Sequence, residues 1–255
     1  MPLSTGETDL LRVGLSAASW ERVARAVRGA YYDSSVREER RRLLPEAALL
    51  ALAAAFAVFH HLPSASGEAG DFVDLVTPLA VVGTAALVLA SVRAGPAAVA
   101  LALLAGVLYV DGHGIHLAAN SIGHEALTGN AEDVTRFWDE TFGHIEWHLG
   151  WILLLAAVAA AEALSGVPRG SRPTSYPLAG ATVMLLGFTL FTSTVEGGTW
   201  WLAVGATAVF LVWVVRTPRP MLVTAAGAFA LASLLMAGWA IWQGGIPQFS
   251  DVGWL

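Results

Sequence analysis

The 255-residue chain contains no cysteine and no lysine; all 14 of its basic residues are arginine. The first absence excludes disulfides, thiolate metal sites and cysteine nucleophiles. The second excludes a retinal or pyridoxal Schiff base and the lysine of a phosphate-binding loop. Charge is scarce too, at 13% of residues, where an ordinary soluble domain carries about 25%. A net charge of -6 and a pI near 5.6 leave no basic patch of the kind that nucleic-acid binding requires, so no nucleic-acid partner is expected.

What is abundant is apolar: 56% of the residues are hydrophobic and the mean hydropathy is +0.61. These residues fall in runs of about 20, the length that crosses hydrocarbon as a helix. The sequence therefore predicts an all-α polytopic membrane bundle of about seven transmembrane helices, near 44–62, 72–93, 96–124, 137–164, 176–194, 198–215 and 220–242. Residues 1–43 read as a separate N-terminal segment and 44–255 as one transmembrane domain, with no internal repeat. Within the first, Trp20, Val23, Val27 and Tyr31 share a helical face while Arg22, Arg25 and Arg28 fall largely elsewhere. That pattern predicts an amphipathic helix lying at the membrane interface.

Arginine placement predicts the orientation. Arg37, Arg40, Arg41, Arg42, Arg93, Arg169, Arg172, Arg216 and Arg219 fall on one side of the spans. The opposite side holds Glu68, Asp71, Asp74, Glu132, Asp133 and Glu196, with Arg136 its single positive charge. The positive-inside rule then places the N-terminus in the cytoplasm and the C-terminus outside a plasma membrane.

With that topology all seven histidines gather toward the outer side: His60 and His61, then His113, His116 and His124, then His144 and His148. Ionisable residues in a membrane are costly, and they usually face a bundle interior or a wet cavity where they serve a function. On the third span His113, His116, Asn120 and His124 are spaced by three, four and four residues, an arc of roughly 80° at about 100° per residue. On the fourth, Glu140, His144 and His148 form a second stripe. A short connection makes the two helices antiparallel neighbours. Straight α-helical counting pairs His124 with Glu140, Asn120 with His144 and His116 with His148. His113 and His124, roughly 16 Å apart along the axis, cannot share one ion.

Imidazole and carboxylate donors suit zinc or, alternatively, iron. The candidate ligands are His113, His116, His124, His144 and His148, with His116, His144 and His148 at the centre of a deep site. Asn120 is a candidate for orienting the substrate, and Glu140 or Asp139 for general base. His60 and His61 read as a helix-end pair, Glu125 and Glu146 lie off both stripes, and Glu196 reads as a loop-end charge or, more sharply, as a lid or supporting acid.

The pair His144 and His148 resembles the HxxxH of the seven-span superfamily that includes alkaline ceramidases and adiponectin-type receptors, whose members bind zinc through three histidines. There the pair sits on the last helix; here the last span, Met221 to Trp242, has no histidine. Membrane desaturases also use HxxxH, together with an HxxHH box that is absent here. A likeness of five residues assigns no family. The expectation is a membrane metalloenzyme, zinc-dependent and hydrolytic, acting on a small lipid or amphiphile drawn from the bilayer. A non-heme iron oxidoreductase and a metal or proton transporter or sensor are the alternatives. The inner halves of the spans are almost purely apolar, which argues for a pocket with one mouth over a through-path.

Overall fold

The computed structural model describes residues 43–61, 68–123, 128–165 and 175–254, together with Glu21 and Arg25. It divides the chain into two units, Met1–Leu43 and Leu44–Leu255. In the first, Glu21 and Arg25 are helical, their side chains 3.9 Å apart and exposed. The rest of the expected amphipathic helix lies outside the described residues.

The second unit is helical, with no strand among the described residues. Its elements are α1 (Leu43–His61), α2 (Glu68–Val92), α3 (Pro96–Gly123), α4 (Asn130–Arg136), a π-helical segment (Phe137–Gly143), α5 (His144–Leu164), α6 (Tyr176–Glu196), α7 (Trp200–Arg216), α8 (Pro220–Gln243) and a 3-10 turn (Ser250–Val252). Among the described residues six helical stretches are long and apolar enough to cross a membrane, with α4, the π segment and α5 running as one of them. The remaining apolar helix, α7, has 17 residues, the lower limit for a span. The seven sequence-expected helices are thus all present. Two boundaries differ: Glu68, Asp71 and Asp74, read as loop charges, belong to the first turns of α2, and the fourth span, expected from 137, begins at Asn130.

The closest helix pair is α3 with α5, and glycines make that approach possible. A Cβ on Gly112 would collide with the backbone nitrogen of Trp147, and one on Gly150 with the backbone nitrogen of Tyr109. A Cβ on Gly143 would stand 3.1 Å from the backbone nitrogen of His116. In a bilayer, where the hydrophobic effect does not press helices together, such small-residue contacts supply the packing. Their order, 109 with 150, 112 with 147 and 116 with 143, shows the two helices antiparallel.

Elsewhere the helices are tied by polar groups. Thr207 Oγ1 meets Ser233 Oγ at 2.8 Å and the Phe229 carbonyl at 3.0 Å, joining α7 to α8. Thr77 donates to the Phe59 carbonyl at 3.3 Å, joining α2 to α1. At the end away from the histidines, the buried Glu162 carboxylate accepts from the Met221 backbone N–H at 2.8 Å, satisfying a donor that the start of α8 leaves open. Glu46 does the same for Ser175 at 2.8 Å.

Candidate functional site

The up-and-down chain order brings the C-terminal ends of α1, α3, α6 and α8 together with the N-terminal ends of α2, α5 and α7. At that end lies a cavity of about 600 Å³, within the usual range for small-molecule sites. His60, His61, Asp74, His116, Asn120, Asp139, Glu140 and His144 contribute its polar wall, and Leu117, Phe188, Phe191, Phe249 and Trp254 its apolar one. All these residues belong to the second unit.

The histidines surround Trp147. Its ring centroid lies 5.6 Å from His60, 5.1 Å from His113, 5.6 Å from His116, 6.0 Å from His144 and 5.0 Å from His148. Because Trp147 and the helix backbone at Gly112 and Gly143 fix the α3–α5 register, each imidazole has a defined neighbour.

That register differs from the sequence expectation by more than one turn. His116 does not pair with His148. Instead its Nδ1 donates to Asp139 Oδ1 at 2.6 Å, and its ring lies 4.4 Å from that of His144. Asn120 correspondingly sits beyond His144, on the cavity wall. The cause is the connection: helix resumes at Asn130, well before the expected start at 137, so the residue of the following helix that faces His116 comes earlier in the chain. The glycine contacts then lock the shifted pairing.

His144 and His148 stack with ring centroids 6.0 Å apart. Gly197, just past α6, covers both: a Cβ there would stand 2.9 Å from His148 Cε1 and 3.1 Å from His144 Cγ. His144 Nδ1 donates to the Glu140 carbonyl at 3.3 Å. His148 Nδ1 shares a 2.8 Å hydrogen bond with Thr199 Oγ1. All three imidazoles are therefore held through Nδ1. Among the described residues none of their Nε2 atoms has a hydrogen-bond partner, and that of His148 is fully buried.

His113 has a different place. Pro78 lies inside α2, and its missing N–H leaves the carbonyl four residues earlier, that of Asp74, without its helical partner. His113 Nε2 fills the gap, donating to the Asp74 carbonyl at 2.9 Å and approaching Asp74 Oδ1 at 3.2 Å. This nitrogen is committed to α2. The other, Nδ1, is buried without a partner among the described residues.

Of the expected ligands, the structure brings His116, His144 and His148 together around Trp147, assigns His113 to α2, and leaves His124 outside the described residues, as it does Glu125. Among the described residues no three His, Asp or Glu side chains stand close enough to one another to hold one metal ion. Of the expected catalytic residues, Asp139 is engaged by His116, while Glu140 and Asn120 face the cavity. Glu146 is not part of the wall, in line with its position off the stripe.

Four residues of the site had not been singled out from the sequence, or had been given lesser parts. His60 and His61, read as an interfacial pair, line the cavity. Asp74, read as a loop charge, lines it also, and Thr199 holds His148. The signal for Asp74 was a carboxylate four residues before a proline in an apolar run. Glu196 lines the cavity, and its carboxylate accepts from the Phe249 N–H at 2.7 Å and the Ser250 N–H at 3.2 Å. Gln248 also donates to the Glu196 carbonyl. These bonds clasp the C-terminal segment, with Phe249 and Trp254, over the cavity. No family model matches the chain, and no curated protein or solved structure is significantly similar to it.

Proposed function

We propose that this protein is a membrane-embedded hydrolase of amphiphilic substrates, in which His116, His144 and His148 hold a divalent metal ion, zinc by preference. The observation that carries the reading is the shared arrangement of the three imidazoles. Each is held through Nδ1, by a carboxylate, a backbone carbonyl and a hydroxyl respectively, and among the described residues each leaves Nε2 unbonded. Metal-ligating histidines are held in this way, because the bond at one nitrogen fixes the tautomer and ring orientation that present the other. A buried, orphaned Nε2 on His148 is otherwise a cost of about 1–3 kcal/mol. Binding draws the rings inward from their present separations.

A zinc ion held by three nitrogens supplies Lewis acidity toward a carbonyl or water. The chain's own groups would do the rest. Glu140, half-exposed at the cavity wall, takes the proton from the attacking water and passes it to the leaving group. Asn120 donates a hydrogen bond to the carbonyl oxygen of the scissile ester or amide. Asp139 keeps His116 in the tautomer with its proton on Nδ1. By the positive-inside rule the cavity opens on the outer leaflet of the plasma membrane, where water is at hand and no electron donor is required.

A second reading rests on the 2.6 Å contact between His116 and Asp139 and on the separation of the remaining ligands: the dyad acts alone as general base, without metal. Substitution separates the two. In the metal reading His116→Ala, His144→Ala and His148→Ala each remove bound metal from a folded protein, while His61→Ala retains it. Retention of metal in all three variants overturns the metal site. A metal-free protein whose esterase activity depends on His116 and Asp139, and not on His148, establishes the dyad.

A further inference from the structure

The cavity's charge is one-sided. Asp74, Asp139, Glu140 and Glu196 all line it, and among the described residues no arginine does. Two of these carboxylates have an imidazole against them, Asp74 with His113 at 3.2 Å and Asp139 with His116 at 2.6 Å. Among the described residues Glu196 has none, and Glu140 has one only at a longer distance. Glu196 is held by backbone N–H groups, which carry no charge. Glu140 Oε2 stands 3.9 Å from His144 Nδ1, and its side chain is 47% exposed.

Part of the wall is aromatic. Phe249 packs edge-on against Phe191 with ring centroids 5.4 Å apart and stacks with Trp254 at 6.2 Å. Trp239 braces both, at 4.8 and 5.1 Å, and Trp239 Nε1 donates to the Pro247 carbonyl at 3.0 Å. This wall is held in place by the Glu196 clasp. Aromatic faces attract organic cations, tryptophan most strongly, and carboxylates reinforce that attraction in a site of low dielectric.

We propose that the cavity selects amphiphiles with a cationic, alkylammonium-class headgroup, seated between Glu140 and the Phe249–Trp254 wall, and that it rejects phosphate headgroups. An anion seated between Glu140 and that wall, away from the three histidines, would meet a carboxylate and aromatic faces, and among the described residues no arginine lines the cavity to receive it. The proposal deepens the hydrolase reading by naming the class of headgroup its substrate carries.

The test uses the full chain in a neutral maltoside detergent, titrated with decyltrimethylammonium and, separately, with decyl phosphate, and followed by calorimetry. Decyltrimethylammonium binds saturably and at least about tenfold more tightly than decyl phosphate. Trp254→Ala and Glu140→Gln each weaken it by about tenfold, equivalent to about 1.4 kcal/mol, whereas Glu132→Gln on α4 leaves it unchanged. Equal or tighter binding of decyl phosphate overturns the proposal, as does indifference to both cavity substitutions. The titration is run with the metal content measured and again after chelation. Selective cation binding in a metal-free protein removes the metal reading alone; a metal-bearing protein that prefers decyl phosphate removes the cation proposal alone.

Discussion

Replacing Gly150 by alanine tests whether the glycine contacts between α3 and α5 set the site's register. A Cβ at 150 would lie 2.7 Å from the Tyr109 Cα and 2.9 Å from the Ala105 carbonyl oxygen, besides colliding with the Tyr109 nitrogen. All three obstacles are backbone, so no rotamer change relieves them and the helices must part. Overpacking of this kind costs about 1–3 kcal/mol. Against it stands the gain in helix propensity from glycine to alanine, about 0.8–1 kcal/mol. Gly83 on α2 supplies the control, because nothing lies within 4 Å of its Cβ position. Gly83→Ala should therefore show the propensity gain alone. The two variants should differ by about 1–3 kcal/mol, which for a protein of this size separates their melting temperatures by roughly 2–12 °C. The assay is thermal unfolding of each variant in the same detergent, followed by tryptophan fluorescence. If Gly150→Ala melts at or above the temperature of Gly83→Ala, the close approach is not what holds α3 against α5.

Three further substitutions probe the polar groups. Thr199→Val removes the hydroxyl bonded to His148 Nδ1 at 2.8 Å; metal affinity should fall by about 10–100-fold, read by competition with a chromophoric chelator, and unchanged affinity would show that Thr199 does not orient the ligand. His113→Phe leaves the Asp74 carbonyl without the donor that replaces the Pro78 N–H; it should cost about 1–3 kcal/mol of stability while bound metal is retained, and loss of the metal would make His113 a ligand. Glu196→Ala removes the acceptor of the Phe249 and Ser250 N–H groups. Hydrogen exchange at 248–254 should then accelerate by about tenfold or more, since a charge-assisted hydrogen bond is worth about 1.5–3 kcal/mol, and unaltered protection would show that the segment is held by its aromatic packing.

The helices were legible because hydrocarbon demands about 20 apolar residues for each span, and the boundaries near 96, 176 and 220 follow directly from prolines at or near the first helical position. The clustering of histidines at one end was legible for the same reason, since alternating spans return each segment to the same face. The pairing across α3 and α5 was not. It depends on where helix resumes after the connection, at Asn130, and on which glycines face each other, and neither is marked by hydrophobic periodicity. The role of His113 was hidden likewise, since it answers to a proline 35 residues earlier on another helix. Glu196 was visible as a charge ending an apolar run, but its partners lie more than 50 residues away in a segment of no regular pattern.

The most direct test of the central claim is the metal content of the full chain, purified without a histidine-rich tag and measured by elemental mass spectrometry. The account predicts about one zinc per chain, lost together with hydrolysis of ester or amide amphiphiles on chelation and restored by zinc. Protein that carries no stoichiometric metal, or iron in its place, contradicts it.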